Sequence, residues 1–344
     1  MKKAVLITGG CGFIGANFIH YMRGAHPELE IINLDKLTYS GNPDNLKSLK
    51  DDPHYQFVRG DIADEDLILS LLQENNIQAL VHFAAESHVD RSISGAKAFV
   101  QANVVGTHVL LERAREYWTD TLSKDSSFRF VHISTDEIYG TLGEDGLFSE
   151  ESPFRPNSPY AATKAGADLL VRAYFETYGL PTLIARPSNN YGPYQFPEKF
   201  IPLMITNLME NKPVPIYGKG LNVRDWIFVT DTCRAIDLIM EKGKPGEAYN
   251  VGGETEKQNI DVAREVLALF GKEESYLSFV TDRPGHDLRY ALDNKKIKGE
   301  LGWKQTVAFK DGIEQTISWY KDNEWWWKPL KERLFRESKG FWSK

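Results

Sequence analysis

The feature that most constrains this chain is its first turn. An unbroken apolar run, Ala4-Val5-Leu6-Ile7, stops at Thr8-Gly9-Gly10-Cys11-Gly12-Phe13-Ile14-Gly15, and apolar residues then recur at Phe13, Ile14, Phe18, Ile19 and Met22. The run reads as a parallel strand buried on both faces, and the recurrence as a helix. Glycines at 9, 12 and 15 divide the work of joining them. One permits the tight turn, one lets backbone approach a pyrophosphate, and one lets helix and strand pack closely. The helix start adds free N–H groups and a positive dipole end.

The alternation continues. A second strand over residues 30–34 ends in Asp35, which either caps a turn or holds the ribose hydroxyls of a dinucleotide. The glycines before it favour the second reading, and an acid there selects NAD over NADP, although Lys36 follows it. Residues 55–59 form a third strand; Asp61 and Ile62 follow, with Asp61 a candidate for the adenine edge. A helix over 65–75 carries Leu67, Ile68, Leu71 and Leu72 on one face. A fourth strand ending at Phe83 runs into Ala84 and Ala85, small residues that let a cofactor approach the backbone. A long helix over about 95–118 holds Asn103. A fifth strand over 130–133, a loop from 141 to 159, a helix over 159–178 and a sixth strand over 182–185 complete the series. This order predicts an α/β fold, a doubly wound parallel Rossmann-type sheet with ligands outside the carboxyl ends of its strands. Residues 1–190 form that domain. From 191 to 344 prolines cluster and elements shorten, which predicts a smaller, mainly C-terminal α/β substrate-binding region.

Two groups carry chemistry. Ser134-Thr135-Asp136-Glu137 directly follows the fifth strand, and Tyr160 and Lys164 stand four residues apart on one helix face. An acidic pair after a strand is ordinarily a solvated turn, and a Tyr/Lys pair ordinarily a surface contact. Their order behind a nucleotide-binding turn, all at strand ends, shifts the balance. Both carboxylates can reach one substrate only if the strand has ended by Asp136, since neighbours in a strand face opposite ways. Arg224 and Arg283 each offer a guanidinium fork to an anion, or an ordinary surface ion pair. His88 lacks metal-ligand spacing, and no metal is expected. Nor is nucleic acid, because 41 basic and 48 acidic residues give a net charge of −7 without a basic block. Two cysteines, Cys11 and Cys233, an apolar start broken at Thr8 and no membrane-length run predict a cytoplasmic protein. The tail, Trp325-Trp326-Trp327, is expected to pack against the body.

Gly9-x-x-Gly12-x-x-Gly15 with Tyr160-x-x-x-Lys164 resembles the extended short-chain dehydrogenase/reductase superfamily. Within it, Leu34-Asp35-Lys36-Leu37-Thr38, Glu86-Ser87-His88-Val89-Asp90, Thr135-Asp136-Glu137, Asn189-Asn190-Tyr191-Gly192 and Arg283-Pro284-Gly285-His286 resemble the dTDP-glucose 4,6-dehydratase family. Sugar-nucleotide epimerases and decarboxylases of the superfamily lack the acidic pair. An NAD-binding sensor would not need an intact Tyr160 and Lys164. The resemblance implies redox-neutral loss of water from dTDP-glucose, in deoxysugar and dTDP-rhamnose biosynthesis. Tyr160, supported by Lys164 and Thr135, would take the C4 hydroxyl proton; Glu137 would take the C5 proton; Asp136 would protonate the leaving C6 hydroxyl. NAD would rest on Gly9, Gly12, Phe13, Ile14, Gly15, Asp35, Lys36, Leu37, Thr38, Asp61, Ile62, Phe83, Ala84, Ala85, Ser87, Asn103, Tyr160, Lys164 and Asn190. The nucleotide sugar would meet Ser87, His88, Asp90, Thr135, Asn189, Lys199, Phe200, Pro215, Ile216, Tyr217, Arg224, Asn259, Arg283, His286 and Tyr290. A homodimer through the helices near 95–118 and 158–178 is also implied.

Overall fold

The computed structural model describes residues 3–122, 127–282 and 284–337; Arg283 lies outside the described residues. Six strands come first: β1 (Ala4–Thr8), β2 (Glu30–Asp35), β3 (Tyr55–Arg59), β4 (Ile77–His82), β5 (Arg129–Ile133) and β6 (Thr182–Pro187). Six more follow: β7 (Asn189–Tyr191), β8 (Val214–Tyr217), β9 (Val223–Phe228), β10 (Ala248–Val251), β11 (Glu256–Gln258) and β12 (Leu277–Val280). The large sheet is wholly parallel, in the order β10-β6-β5-β4-β1-β2-β3. The chain leaves β1 toward β2 and later resumes on the other side at β4, so the strand order reverses between β1 and β4. That is where a doubly wound sheet opens a crevice.

Alternating side chains explain why β1 is apolar throughout. Val5 and Ile7 join one core with Phe18 and Ile19 of the helix Phe13–Ala25 and Ile236 of the helix Val229–Lys242. Ala4 and Leu6 join the opposite core with Leu71, Leu110 and Val171. Each face of the strand is therefore dry. A third core, built on Tyr191, Ile201, Trp226, Phe228 and Ile313, supports the three-stranded sheet β11-β9-β7. The boundary expected near residue 190 is recrossed by the chain: the helix Val229–Lys242 and β10 return to the large sheet before β11 leaves it again.

The long helix expected over about 95–118 is present, with a short separate helix ahead of it. Val89–Ser94 ends at an extended Gly95, and a new helix starts at Lys97. It runs on through a π-helical stretch, Val100–Gly106, then Thr107–Tyr117 and a second π stretch, Trp118–Leu122. The helix Pro159–Tyr178 spans the expected residues. Ser158 caps it, its side-chain oxygen accepting from the Ala161 N–H at 3.1 Å. Ser158→Ala is expected to lower stability by about 1 kcal/mol, read as a lower denaturant midpoint at unchanged slope. Trp326 and Trp327 are buried in the third core, as the sequence led one to expect of the tail, while Trp325 stays exposed.

Candidate active site

A cleft of about 430 Å³ opens over the ends of β1, β2 and β4. Of the residues expected to hold a dinucleotide, Gly9, Gly12, Phe13, Ile14, Gly15, Asp35, Lys36, Thr38, Asp61, Ile62, Phe83, Ala84, Ala85, Ser87, Tyr160 and Lys164 line it. Gly9 makes the tight turn at φ +75°, and a Cβ there would lie 2.5 Å from the Ala84 nitrogen. A Cβ on Gly15 would lie 2.5 Å from the Gly9 carbonyl oxygen, so this glycine seats the helix against the turn. Gly12, between them, meets protein only at 3.3 Å and leaves its flank to a ligand. It precedes the helix Phe13–Ala25, which has neither a side-chain cap nor an acid in its first turn. Bare N–H groups at the positive end of a helix dipole suit a pyrophosphate.

Asp35 ends β2 with one carboxylate oxygen accepting from the Cys11 N–H (2.9 Å) and the other from the Leu37 N–H (2.8 Å). Burial raises its carboxyl, and those two N–H groups counter it. Lys36, the residue that left the NAD/NADP choice open, is paired with Asp61 at 2.5 Å. Leu37, Asn103 and Asn190 do not line the cleft. Asn103 instead pins its wall, bonding both the N–H and the carbonyl of Glu86 and the Thr163 hydroxyl. The sequence reading missed Tyr39, Gly60, Glu86, Ala98, Gln101, Ala102, Gln195 and Phe196, which also line the cleft. Positions 98, 101 and 102 have helical spacing, the one signal available for them.

β5 ends at Ile133, and a 3-10 turn, Asp136–Tyr139, follows. The Thr135 hydroxyl accepts from the Glu137 N–H and donates to one Asp136 oxygen, both at 3.3 Å. The strand has thus ended before the acidic pair, as required for both acids to serve one substrate. Asp136 is 2% exposed, and its other oxygen, Oδ2, has no hydrogen-bond partner. Burial first, then the Glu137 and Asp225 carboxylates, push its carboxyl well above the ordinary range, against the pull of Arg224 and Thr135. Such surroundings favour its protonated form.

Tyr160 and Lys164 face the same cleft from the helix Pro159–Tyr178. Lys164 donates to the Ile133 carbonyl at 2.7 Å and lies 3.4 Å from His132 Nε2. Burial brings its ammonium down to about 8, opposed by Asp168. The Tyr160 phenol is pushed up, by burial and then by Glu137, with Thr135 opposing. The protein by itself therefore does not make Tyr160 a base. Beneath Lys164 lies a buried polar chain that sequence reading did not find: His132 Nε2 to Asp168 (3.5 Å), Asp168 to Arg186 (2.9 Å), and Arg186 to the Tyr139 hydroxyl (2.7 Å).

On the substrate side, Ser87 and Lys199 line the cleft and meet each other, Lys199 Nζ donating to the Ser87 carbonyl at 3.3 Å. His88 approaches Glu198 at 3.5 Å, and Asp90 accepts from the Tyr217 hydroxyl at 3.3 Å. Asn189 and Asn259 each bury a side-chain oxygen that has no partner, as does Asn190. Arg224 stacks on the Tyr290 ring at 4.5 Å and donates to the Asp287 carbonyl at 3.0 Å. His286 pairs with Asp282 at 2.6 Å. Phe200 stacks on Trp226, and Pro215 precedes Ile216 on β8, whose side chain is fully buried in the third core. Among the described residues, one group could hold a metal ion, His26 with Asp237 and Glu241; none of the three lines the cleft.

Comparison with known proteins fits this geometry. The family model described as GDP-mannose 4,6 dehydratase matches residues 6–316. The chain is 50% identical over 343 residues to the dTDP-glucose 4,6-dehydratase of Xanthomonas campestris pv. campestris (strain B100), covering 96% of this chain and 97% of that one. The chain belongs to the dTDP-glucose 4,6-dehydratase family. Its Escherichia coli (strain K12) member, dTDP-glucose 4,6-dehydratase 1, is 47% identical, with 96% of each chain covered. The dTDP-glucose 4,6-dehydratase of Bacillus anthracis, solved in complex with NAD, superposes at a TM-score of 0.88 and 48% identity, over 95% of this chain and 99% of that one. A UDP-glucuronic acid 4-epimerase from Bacillus cereus shares the fold at a TM-score of 0.84 but only 28% identity, over 93% of this chain and 99% of that one. The dehydratase family thus stands apart from its epimerase neighbours in sequence more than in backbone.

Proposed function

We propose that this protein is a dTDP-glucose 4,6-dehydratase, a hydro-lyase that converts dTDP-glucose to dTDP-4-keto-6-deoxyglucose and water. The observation that carries the reading is Asp136, a buried acid with an unpartnered oxygen beside a second acid, just past the strand that leads into Thr135. Two neighbouring carboxyls whose environments differ can serve as acid and base in one step.

NAD, seated on the glycine turn with Asp35 at its ribose, supplies the acceptor for the C4 hydride and its return at C6, so it ends as it began. Tyr160 removes the C4 hydroxyl proton, with Thr135 on the same oxygen. The phenol needs the positive charge of the bound nicotinamide to do so, since burial alone raises its pKa. Lys164 adds a second positive charge one helical turn away. With C4 a ketone, the C5 proton is acidic, and Glu137 takes it while Asp136 protonates the departing C6 hydroxyl. Asn189, Lys199, Arg224, Asn259 and His286 hold the nucleotide and sugar, and the partnerless oxygens of Asn189 and Asn259 suit that task. The protein works as a cytoplasmic homodimer in deoxysugar synthesis, dTDP-rhamnose included. Exposed Val100, Val105, Leu169 and Tyr178 on the expected helices support the pairing. No helix among the described residues is long and apolar enough to cross a membrane.

Substrate deuterated at C4 tests this reading. The product is expected to be lighter by one water, to carry the label at C6, and, in heavy water, to gain solvent deuterium at C5. Proton spectra read both positions. Label returned to C4 with no loss of mass is the epimerase result and would overturn the assignment.

A further inference from the structure

The helix Glu324–Glu337 lies beyond the residues that the family model matches, yet it reaches the dinucleotide turn. Trp326 Nε1–H donates to Asn45 Oδ1 at 2.7 Å, and Asn45 Nδ2–H donates to the Cys11 carbonyl at 2.9 Å. Cys11 sits between Gly10 and Gly12, and its own N–H donates to Asp35 at 2.9 Å. Three hydrogen bonds therefore join the C-terminal helix to the acid expected to hold the adenosine ribose. Trp326 and Asn45 are each 2% exposed, so neither can exchange its partner for water.

Two more contacts run the same way. Arg333 Nη2–H donates to the carbonyl of Tyr39, which lines the cleft, at 2.7 Å. Trp326 and Trp319 both pack on Tyr194, which stacks on His20 of the helix Phe13–Ala25. His20 Nε2 in turn lies 2.8 Å from the Asn45 carbonyl. The cofactor turn, the loop from Leu37 to Asn45 and the first helix are thus all gripped by one element that touches no part of the catalytic group.

We propose that the Trp326–Asn45–Cys11 chain, with Arg333 on Tyr39, is a fastening that sets how tightly NAD is retained. It rests on the reading of the cleft as an NAD site. Trp326 and Arg333 are positioning residues: they act on the cofactor through the backbone that holds it. A lost Trp326 bond leaves the buried Asn45 oxygen unpaired and loosens one of the two donors on the Cys11 carbonyl, the other being the Asn42 N–H at 2.9 Å.

The test is the rate of NAD release from purified holoprotein, measured by rapid filtration and chromatography. Trp326→Phe keeps an aromatic ring, though a smaller one, and removes the N–H; its NAD release is expected to rise about tenfold. Arg333→Ala, at an exposed position, is expected to act in the same direction by a smaller factor and keeps the idea testable if the tryptophan variant folds poorly. Asn45→Asp can still accept from Trp326 but no longer donates to Cys11, so the double variant Trp326→Phe/Asn45→Asp should release NAD no faster than Asn45→Asp alone. The kcat of Trp326→Phe at saturating NAD should equal that of the wild type. Unchanged NAD release in every variant, with melting temperatures lowered, would reduce the helix to core packing and overturn the proposal. A wild type that holds no NAD would instead remove the reading beneath it.

Discussion

Asp136→Asn is expected to slow product formation by about 10²–10⁴-fold, the usual worth of a positioned general acid, while C4 oxidation survives. Asparagine matches the shape of the neutral carboxyl, so Thr135 and Glu137 keep their places. It has no proton to give the C6 oxygen. Mixing with substrate should therefore produce a lasting absorbance of reduced nicotinamide, since the oxidised sugar cannot move on. Tyr160→Phe should show neither product nor that absorbance, because the C4 proton has no acceptor. The contrast separates the two residues by step rather than by size of defect. Equal failure of both variants before any reduced cofactor appears would show that Asp136 acts earlier than elimination.

The second large effect is on stability. Asp168 is 1% exposed and faces Arg186, His132 and, beyond them, Lys164. Asp168→Ala leaves the buried Arg186 guanidinium without its counter-charge and should cost about 3–5 kcal/mol. The pH dependence gives this a signature. Burial alone would raise the Asp168 carboxyl, but Arg186 and His132 hold it down at about 2, below its ordinary value of 3.8. A depressed folded-state pKa stabilises above the unfolded pKa and loses that contribution as pH falls through the folded one. The wild type should accordingly shed about 2 kcal/mol between roughly pH 4 and pH 2 that the variant does not. Denaturant titrations at several acidic pH values read the difference. Parallel curves for the two proteins would mean that the carboxylate contributes no net charge stabilisation.

The sequence was most legible where one local rule settled the outcome. Both β2, a short apolar run closed by Asp35, and the helix Pro159–Tyr178 were visible. The end of β5 before Asp136 was visible for the same reason. What stayed hidden depended on distant partners. β10 is a four-residue strand whose place beside β6 is fixed by pairing with residues 184–187, which nothing local reveals. Ala98, Gln101 and Ala102 were not singled out, because helical spacing places them on one face without saying that the face meets the cleft. Arg186 drew no role from the sequence, whereas burial makes it the partner of Asp168. The upward push on Tyr160 was opposite to what a base needs, because the sequence shows neighbouring charges but not their dehydration.

The return of β10 to the large sheet has a mechanical consequence. The polypeptide passes from the large sheet to the smaller one after Pro187, comes back at Val229, and leaves again after Val251. Two bodies joined by one linker can swing apart like a book on its spine; two bodies stitched by several crossings cannot open far without tearing strand or helix from its sheet. Sugar entry and product exit must then rely on side chains and short loops around the mouth, while the body of the molecule stays shut. Cutting the gene at the junction near residue 190 would not yield two independent pieces either: the first would lack its edge strand, and the second would carry that strand with nothing to pair with.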